Sequence, residues 1–130
     1  MINKKEFCDY DTCVALIEVK YPRGSIYYYK EGNKRTIYQN GERRMSVKTA
    51  IANGYIPAIT VKEAFDFMAK EKHMFISIIA YWKDEGVYKL THVDATLVAG
   101  EIWRSSWEEA ALRGVKKAIR KLKRIRKLKG

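Results

Sequence analysis

The sequence has no apolar run near the roughly 18 residues that a membrane-spanning helix needs. It also has no charged segment followed by an apolar one at its start, which is the pattern of a secretion signal. Hydrophobic residues make up 47% and charged residues 32% of the chain, a composition typical of globular proteins. We therefore expect a soluble, cytoplasmic protein without a transmembrane segment.

Metal-ligating residues are also scarce. Cys8 and Cys13 are the only cysteines, and the two histidines, His73 and His92, lie far from them in sequence. A zinc site requires more ligands at close spacing. We therefore predict two reduced thiols, no metal and no other cofactor.

The sequence contains no recognisable catalytic motif and no glycine-rich phosphate loop. His73 follows a predicted helix, where the helix dipole stabilises a protonated imidazole. His92 lies on a predicted strand and Asp94, two residues on, points to the same face, but acid-base chemistry there needs a third group that the sequence does not identify. We predict that the protein is not an enzyme, and no small-molecule substrate is evident.

Positive charge is concentrated at the end of the chain. The formal net charge is +11, from 26 Lys and Arg against 15 Asp and Glu. From Arg113 onward the sequence has ten basic residues and no acidic one, which leaves 16 basic against 15 acidic residues before that point. The basic character therefore belongs to one element.

The chain has the length of a single domain, and no internal repeat or low-complexity linker divides it. We predict an α+β fold in three parts. Residues 1–54 form an N-terminal helix and a β-hairpin. Residues 57–122 form a core of one helix, three antiparallel strands and a second helix, and residues 123–130 form a basic helical tail.

The N-terminal part contains two predicted helices. Residues 7–21 suit either a helix or a strand, and we favour a helix that ends at Pro22 and Gly24. Ser46 caps a short second helix, which ends at Asn53-Gly54.

Between these helices, the stretch SIYYYKEGNKRTIYQ predicts a β-hairpin. Its strands cover residues 26–29 and 35–39, with the turn at Gly32-Asn33. Alternation places Tyr27 and Tyr29 on one face and Tyr28 on the other. One face could stack bases, although we favour its packing on the body of the protein.

The core begins with a helix in which Thr60 and Glu63 form a capping box. Its predicted buried stripe consists of Val61, Ala64, Phe65, Met68 and Ala69. Three strands follow, over residues 74–82, 87–93 and about 95–104, with Gly100 marking a bulge or bend. Ser105 or Ser106 caps the final helix. Its predicted buried stripe is Leu112, Val115, Ile119 and Leu122, flanked by Ala111 and Ala118.

Two long segments, PAITVKEAFDFMAKEKHMFISI and SSWEEAALRGVKKAIRKL, carry a family resemblance. They resemble a family of small uncharacterised proteins from gut Bacteroidetes and their phages and mobile elements. In that family a Pro-led helix ends in an REKH-like stretch, here Lys70 to His73, and a YEEAL…GIKEAL-like helix closes the chain. The resemblance covers the whole chain and implies a phage or mobile-element origin, without an established activity.

The order helix, three strands, helix is also similar to double-stranded-RNA-binding domains. That family places a Lys-Lys pair at the start of its second helix. Glu108 and Glu109 occupy those positions here, which argues against duplex RNA binding by the usual mode of that family.

The basic helix predicts binding of nucleic-acid phosphates without sequence specificity, because Lys and Arg neutralise the backbone. The candidate contacts are Lys116, Lys117, Arg120, Lys121, Lys123, Arg124, Arg126 and Lys127, with Lys34, Arg35, Arg43 and Arg44 as additions from the hairpin region. The alternative is a protein-interaction module, an inhibitor or accessory factor that binds an acidic protein partner. An anionic membrane surface also attracts such a helix. The sequence leaves open DNA versus RNA and the oligomeric state.

Overall fold

The computed structural model describes residues 2–83, 86–94, 101–104 and 107–129. The chain divides into two compact units, Met1–Thr60 and Val61–Gly130. Each unit combines helices with a three-stranded antiparallel sheet, which confirms the predicted α+β class. That the whole chain acts as one domain stays a prediction.

The first unit opens with a single 3₁₀ turn at Lys4–Glu6. Its further elements are α1 (Tyr10–Glu18), β1 (Tyr27–Lys30), β2 (Asn33–Gln39), α2 (Val47–Ala52) and β3 (Tyr55–Pro57). The strands form a sheet in the order β2-β1-β3. The sequence did not predict β3, because three residues are too few to show the alternation of a strand.

The first helix, which we favoured over a strand, ends before Pro22 and Gly24. Lys20 adopts a left-handed backbone conformation with φ 73°. The Tyr21 N–H donates to the Leu16 carbonyl at 3.0 Å, as in the Schellman motif that closes many helices. The helix therefore ends through its own backbone hydrogen bonds, without the proline.

Gly24 has a different function from the predicted helix stop. It lies beside an antiparallel bridge in which the Ser25 N–H donates to the Met45 carbonyl at 3.0 Å. A Cβ atom at position 24 would lie 1.9 Å from that carbonyl oxygen. Only glycine lets the two backbones approach this closely.

The hairpin is confirmed, with its turn shifted by one residue. The chain turns at Glu31-Gly32, and β2 begins at Asn33. Tyr28 pairs with Tyr38, but Lys30 pairs with Asn33, so the register shifts between these two pairs.

The core of the first unit joins the segment before α1 to the segment after β3. The Cys8 N–H donates to the Ile59 carbonyl at 2.9 Å, and the Ile59 N–H donates to Cys13 Sγ at 3.4 Å. Both cysteines are thiols outside any disulfide, and both are fully buried. They act as small core side chains in contact with backbone polar groups.

The second unit follows the predicted order of helix, three strands and helix. Its elements are α3 (Val61–Glu71), β4 (Phe75–Lys83), β5 (Gly86–Asp94), β6 (Glu101–Arg104) and α4 (Trp107–Lys129). The sheet order is β4-β5-β6, and α4 contacts α3 and all three strands. The predicted bend at Gly100 and the predicted caps Ser105 and Ser106 lie outside the described residues.

The buried stripe of α3 differs from the predicted one at both phenylalanines and at Ala69. Val61, Ala64 and Met68 are buried as predicted. Phe67, which was not part of the predicted stripe, is 1% exposed, whereas the predicted members Phe65 and Ala69 are only half-buried. The side of α3 that packs is therefore turned from Phe65 toward Phe67, a difference that the spacing of apolar residues alone does not distinguish.

Candidate nucleic-acid interface

The buried side of α4 consists of small and aliphatic residues. Ala111, Val115 and Ala118 are fully buried, and Ile119 is 4% exposed. Leu112, a member of the predicted stripe, is only half-buried, as is Leu122. The two alanines predicted to flank the stripe therefore lie at its centre, where their size allows α4 to approach its neighbours closely.

Cations cover the opposite side of α4. A helix turns by about 100° per residue, so positions can be assigned to sides from the sequence spacing. Between Arg113 and Arg124, all the basic residues fall within an arc of about 160° centred opposite Ala111, Val115 and Ala118, and the fully buried Ala110 falls near one edge of this arc. We call these residues the basic side of α4: Arg113, Lys116, Lys117, Arg120, Lys121, Lys123 and Arg124.

The cations of the basic side reach water to different extents. Its three arginines, Arg113, Arg120 and Arg124, are exposed, and its four lysines are half-buried. Half-burial is typical of lysine, which lays its aliphatic stem along the protein and keeps its ammonium group in water. The last acidic residue of the sequence is Glu109, so no carboxylate of α4 interrupts the basic side.

Toward its end, α4 loses its deeply buried stripe. No side chain that the structure describes between Arg120 and Ile125 is buried. Arg126 follows Ile119 by two turns, so this basic position falls on the side that is buried earlier in the helix. Arg126 and Lys127, both predicted contacts, lie on α4, and their side chains are outside the described part of the structure.

The four predicted contacts from the hairpin region, Lys34, Arg35, Arg43 and Arg44, are all exposed. The side chains of two of them also make structural contacts. Lys34 Nζ lies 5.1 Å from the centre of the Tyr10 ring, and Arg44 Nη1 donates to the Gly24 carbonyl at 2.8 Å. These four residues belong to the first unit and the basic side of α4 belongs to the second.

One face of the β2-β1-β3 sheet packs on the core of its own unit, as we favoured. Tyr29 is 3% exposed, and its hydroxyl donates to the Cys8 carbonyl at 2.7 Å. The half-buried Tyr27 packs edge-on against Phe7, with ring centres 5.2 Å apart. Burial, and after it the neighbouring Cys13 and Cys8, raises the pKa of Tyr29, so its hydroxyl stays a hydrogen-bond donor.

The other face of this sheet carries three stacked tyrosines, which we call the tyrosine stack: Tyr38 on β2, Tyr28 on β1 and Tyr55 on β3. The ring of Tyr28 lies 5.6 Å from that of Tyr38 and 4.4 Å from that of Tyr55, at interplanar angles of 21° and 26°. All three are half-buried. Lys30 Nζ lies 4.4 Å from the centre of the Tyr38 ring, and Asn33 Nδ2 donates to the Tyr38 hydroxyl at 3.2 Å.

The sequence did not point to Tyr55 as part of an aromatic surface. Its strand was not predicted, and Tyr55 lies far along the chain from the hairpin. The available signal was the Asn53-Gly54 turn directly before it, where Gly54 adopts φ 77°. A turn followed by an aromatic and a β-branched residue is consistent with a returning strand.

The residues considered for catalysis lie in the second unit, and the side chains of His92 and Asp94 are outside the described part of the structure. His73 is exposed, follows the end of α3, and has φ 54°. His92 and Asp94 lie on β5, opposite Ser77 and Phe75 of β4. Among the residues that the structure describes, no group of three or more His, Cys, Asp or Glu side chains is placed to hold a metal ion.

No protein-family model, no curated protein and no solved structure matches the chain. None of the helices in the described ranges is long and apolar enough to cross a membrane.

Proposed function

We propose that the protein binds nucleic acid, without catalysing a reaction, through the basic side of α4. The observation that carries this proposal is the separation of residue types around that helix. Its buried side consists of alanine and small aliphatic residues, and seven cations occupy the opposite side. A row of cations on one side of a helix complements the regular charges of a phosphate backbone.

The stability of α4 does not account for this arrangement. Cations near the C-terminus of a helix interact favourably with its dipole, but only in the last turn. Several cations of the basic side lie four residues apart, where like charges destabilise a helix by about 0.2–0.5 kcal/mol per pair. These pairs are Arg113 with Lys117, Lys116 with Arg120, Lys117 with Lys121, and Arg120 with Arg124. An anionic partner relieves this repulsion.

We also propose a phage or mobile-element origin, as the family resemblance implies. A small protein that coats or anchors nucleic acid needs no catalytic residues. The proposed side chains contact phosphates and no base edges, so we expect binding with weak preference for nucleotide sequence. DNA and RNA are then distinguished by backbone shape rather than by base identity.

The test is the salt dependence of binding. In one variant of the full chain, the exposed or half-buried cations Lys117, Arg120 and Arg124 are replaced by glutamine. If these three contact duplex phosphates, the slope of log affinity against log salt becomes shallower by about 2 to 3 units. Fluorescence anisotropy with short labelled DNA and RNA across a salt series measures this slope.

A matched control removes the same charge elsewhere. Lys48, Lys62 and Lys70 are exposed on α2 and α3, and their replacement by glutamine should change the slope much less. Equal effects of the two triple variants would show that net charge alone drives binding and would overturn the assignment to α4. Absence of binding at low salt would overturn the proposal that nucleic acid is the ligand. An acidic protein partner would then be the remaining alternative.

A further inference from the structure

The tyrosine stack crosses all three strands of the first sheet. Tyr28 lies on the central strand β1, and the stack continues to Tyr38 and Tyr55 on the two edge strands. A flat aromatic group can extend such a stack at either end, because offset-stacked rings are the preferred arrangement of π-systems. The half-burial of all three rings leaves part of each accessible to a ligand.

The surroundings of the stack favour an anionic ligand. Between Tyr27 and Pro57 the sequence has six basic residues, and Glu31 and Glu42 are the only acidic ones. Lys30 Nζ lies 4.4 Å from the ring of Tyr38 and 6.0 Å from that of Tyr55. Lys34 and Arg35 are exposed on β2, although Lys34 Nζ lies 5.1 Å from the ring of Tyr10 and not beside the stack. Aromatic rings and cations thus occupy the same sheet.

A ligand that is both aromatic and anionic fits this combination. Single-stranded nucleic acid offers unpaired bases that stack on aromatic side chains and phosphates that cations neutralise. In a duplex the bases stack on one another and their faces are covered. An acidic protein supplies the negative charge but few flat aromatic groups.

We propose that the tyrosine stack binds unpaired bases of single-stranded nucleic acid, with Lys30 beside the rings as a contact for the phosphates. This inference rests on the proposed function in taking nucleic acid as the ligand. It adds a second site, in the other unit of the chain. It also predicts a preference for strands with unpaired bases over strands without bases, which the basic side of α4 does not supply.

The test compares two ligands with the same phosphates and different aromatic content. One is an oligothymidylate of about ten nucleotides, within the range that single-strand binders cover. The other is an abasic deoxyribose-phosphate strand of the same length. The full chain is expected to bind the oligothymidylate at least about 5-fold more tightly, since each stacked base contributes at least that factor.

Two variants at the centre of the stack assign the preference to stacking. Tyr28→Leu keeps an apolar side chain but removes the ring. It should bring the ratio of the affinities for the oligothymidylate and the abasic strand close to one, without changing the affinity for the abasic strand. Tyr28→Phe keeps the ring and should retain the preference. Circular dichroism and the melting temperature verify that both variants fold, and Tyr55→Leu replaces Tyr28→Leu if the latter does not.

The outcomes separate this inference from the proposed function. Equal affinity of the unaltered chain for the two strands would overturn the stacking site and leave α4 unaffected. Loss of the preference in Tyr28→Phe would show that the hydroxyl, not the ring, contacts the ligand. A preference for poly-glutamate that Tyr28→Leu abolishes would assign the surface to an acidic protein.

The triple glutamine variant of α4 should weaken binding of both strands equally. A selective loss of the preference for bases in this variant would contradict the assignment of that preference to the tyrosine stack.

Discussion

Two surfaces of this protein differ in how the chain builds them. The basic side of α4 consists of residues three and four positions apart in one helix, so its composition follows directly from local periodicity. The tyrosine stack consists of residues 28, 38 and 55, which meet only because three strands pair in one register. A helix presents a surface by itself, whereas a sheet presents one only after distant segments have been brought together.

The two surfaces therefore differ in their sensitivity to change. Replacing one cation of α4 removes one charge and leaves the others in place, since the helix backbone holds each of them independently. A change that disturbs the pairing of β1 with β2 or β3 displaces the rings relative to one another. We expect the sheet surface to be lost by single substitutions far from it, and the helix surface to be lost gradually.

The largest effect is expected for Gly24→Ala in the first unit. The added Cβ would lie 1.9 Å from the Met45 carbonyl oxygen, and backbone atoms cannot give way cheaply. The expected loss is at least about 3 kcal/mol of unfolding free energy, the upper range of overpacking, measured by urea denaturation. Gly32→Ala is the control, because nothing lies within 4 Å of a Cβ at Gly32. A similar loss in both variants would contradict a specific steric conflict at Gly24.

Ala118→Leu should have the next largest effect and sharpens the contrast between the two sides of α4. Ala118 is fully buried, so the extra carbons should cost about 1–3 kcal/mol. Lys117→Leu, one residue earlier on the basic side, should change stability by less than about 0.5 kcal/mol. Thermal and urea unfolding of both variants measure the difference. Equal costs would mean that α4 packs on both sides.

Tyr29→Phe should have a smaller effect, with a dependence on pH. Removing the hydroxyl leaves the buried Cys8 carbonyl without this donor, at a cost of about 1 kcal/mol at neutral pH. Because burial raises the pKa of Tyr29 in the folded state, its contribution is present below the unfolded pKa and is lost as pH rises above about 10.

The variant should therefore lose less stability between neutral and alkaline pH than the unaltered protein. Melting temperatures recorded from pH 7 to about pH 11 test this expectation. Tyr28→Phe, at the neighbouring position on the opposite face, is the control. Parallel alkaline slopes for Tyr29→Phe and the unaltered protein would exclude Tyr29 as a source of the pH dependence.

The smallest effects are expected at two helix ends, one in each unit. Lys20 and His73 have φ of 73° and 54°, a conformation that costs L-residues about 1–2 kcal/mol. Glycine adopts it without that cost but loses more entropy on folding, so Lys20→Gly and His73→Gly should each stabilise by about 0.5–1 kcal/mol. Lys72→Gly, without a positive φ, should destabilise. Stabilisation by all three would point to an unfolded-state effect instead.

Several elements could be predicted because their signals are local. Ser46 was predicted to cap α2, and its hydroxyl accepts from the Thr49 N–H at 3.1 Å. The hairpin was predicted within two residues of its observed strands. β3 was missed because a three-residue strand exists only through its pairing with β1. Phe65 was placed on the buried stripe of α3 and Phe67 off it, because spacing alone does not say which of two adjacent sides of a helix its neighbours cover.

The sequence by itself determined the net charge of this protein and the concentration of its basic residues in one helix. Ten basic residues without an acidic one, spaced at helical intervals, define the basic helix through covalent order and helical geometry alone. Only the tertiary structure decided that Ala111 and Ala118 lie at the centre of the packed side, that Tyr29 is buried, and that Tyr28 meets Tyr38 and Tyr55. These outcomes depend on which segments pack together. Folding buries apolar surface over a whole unit, so the packing partner of a residue is not set by its local stretch of sequence.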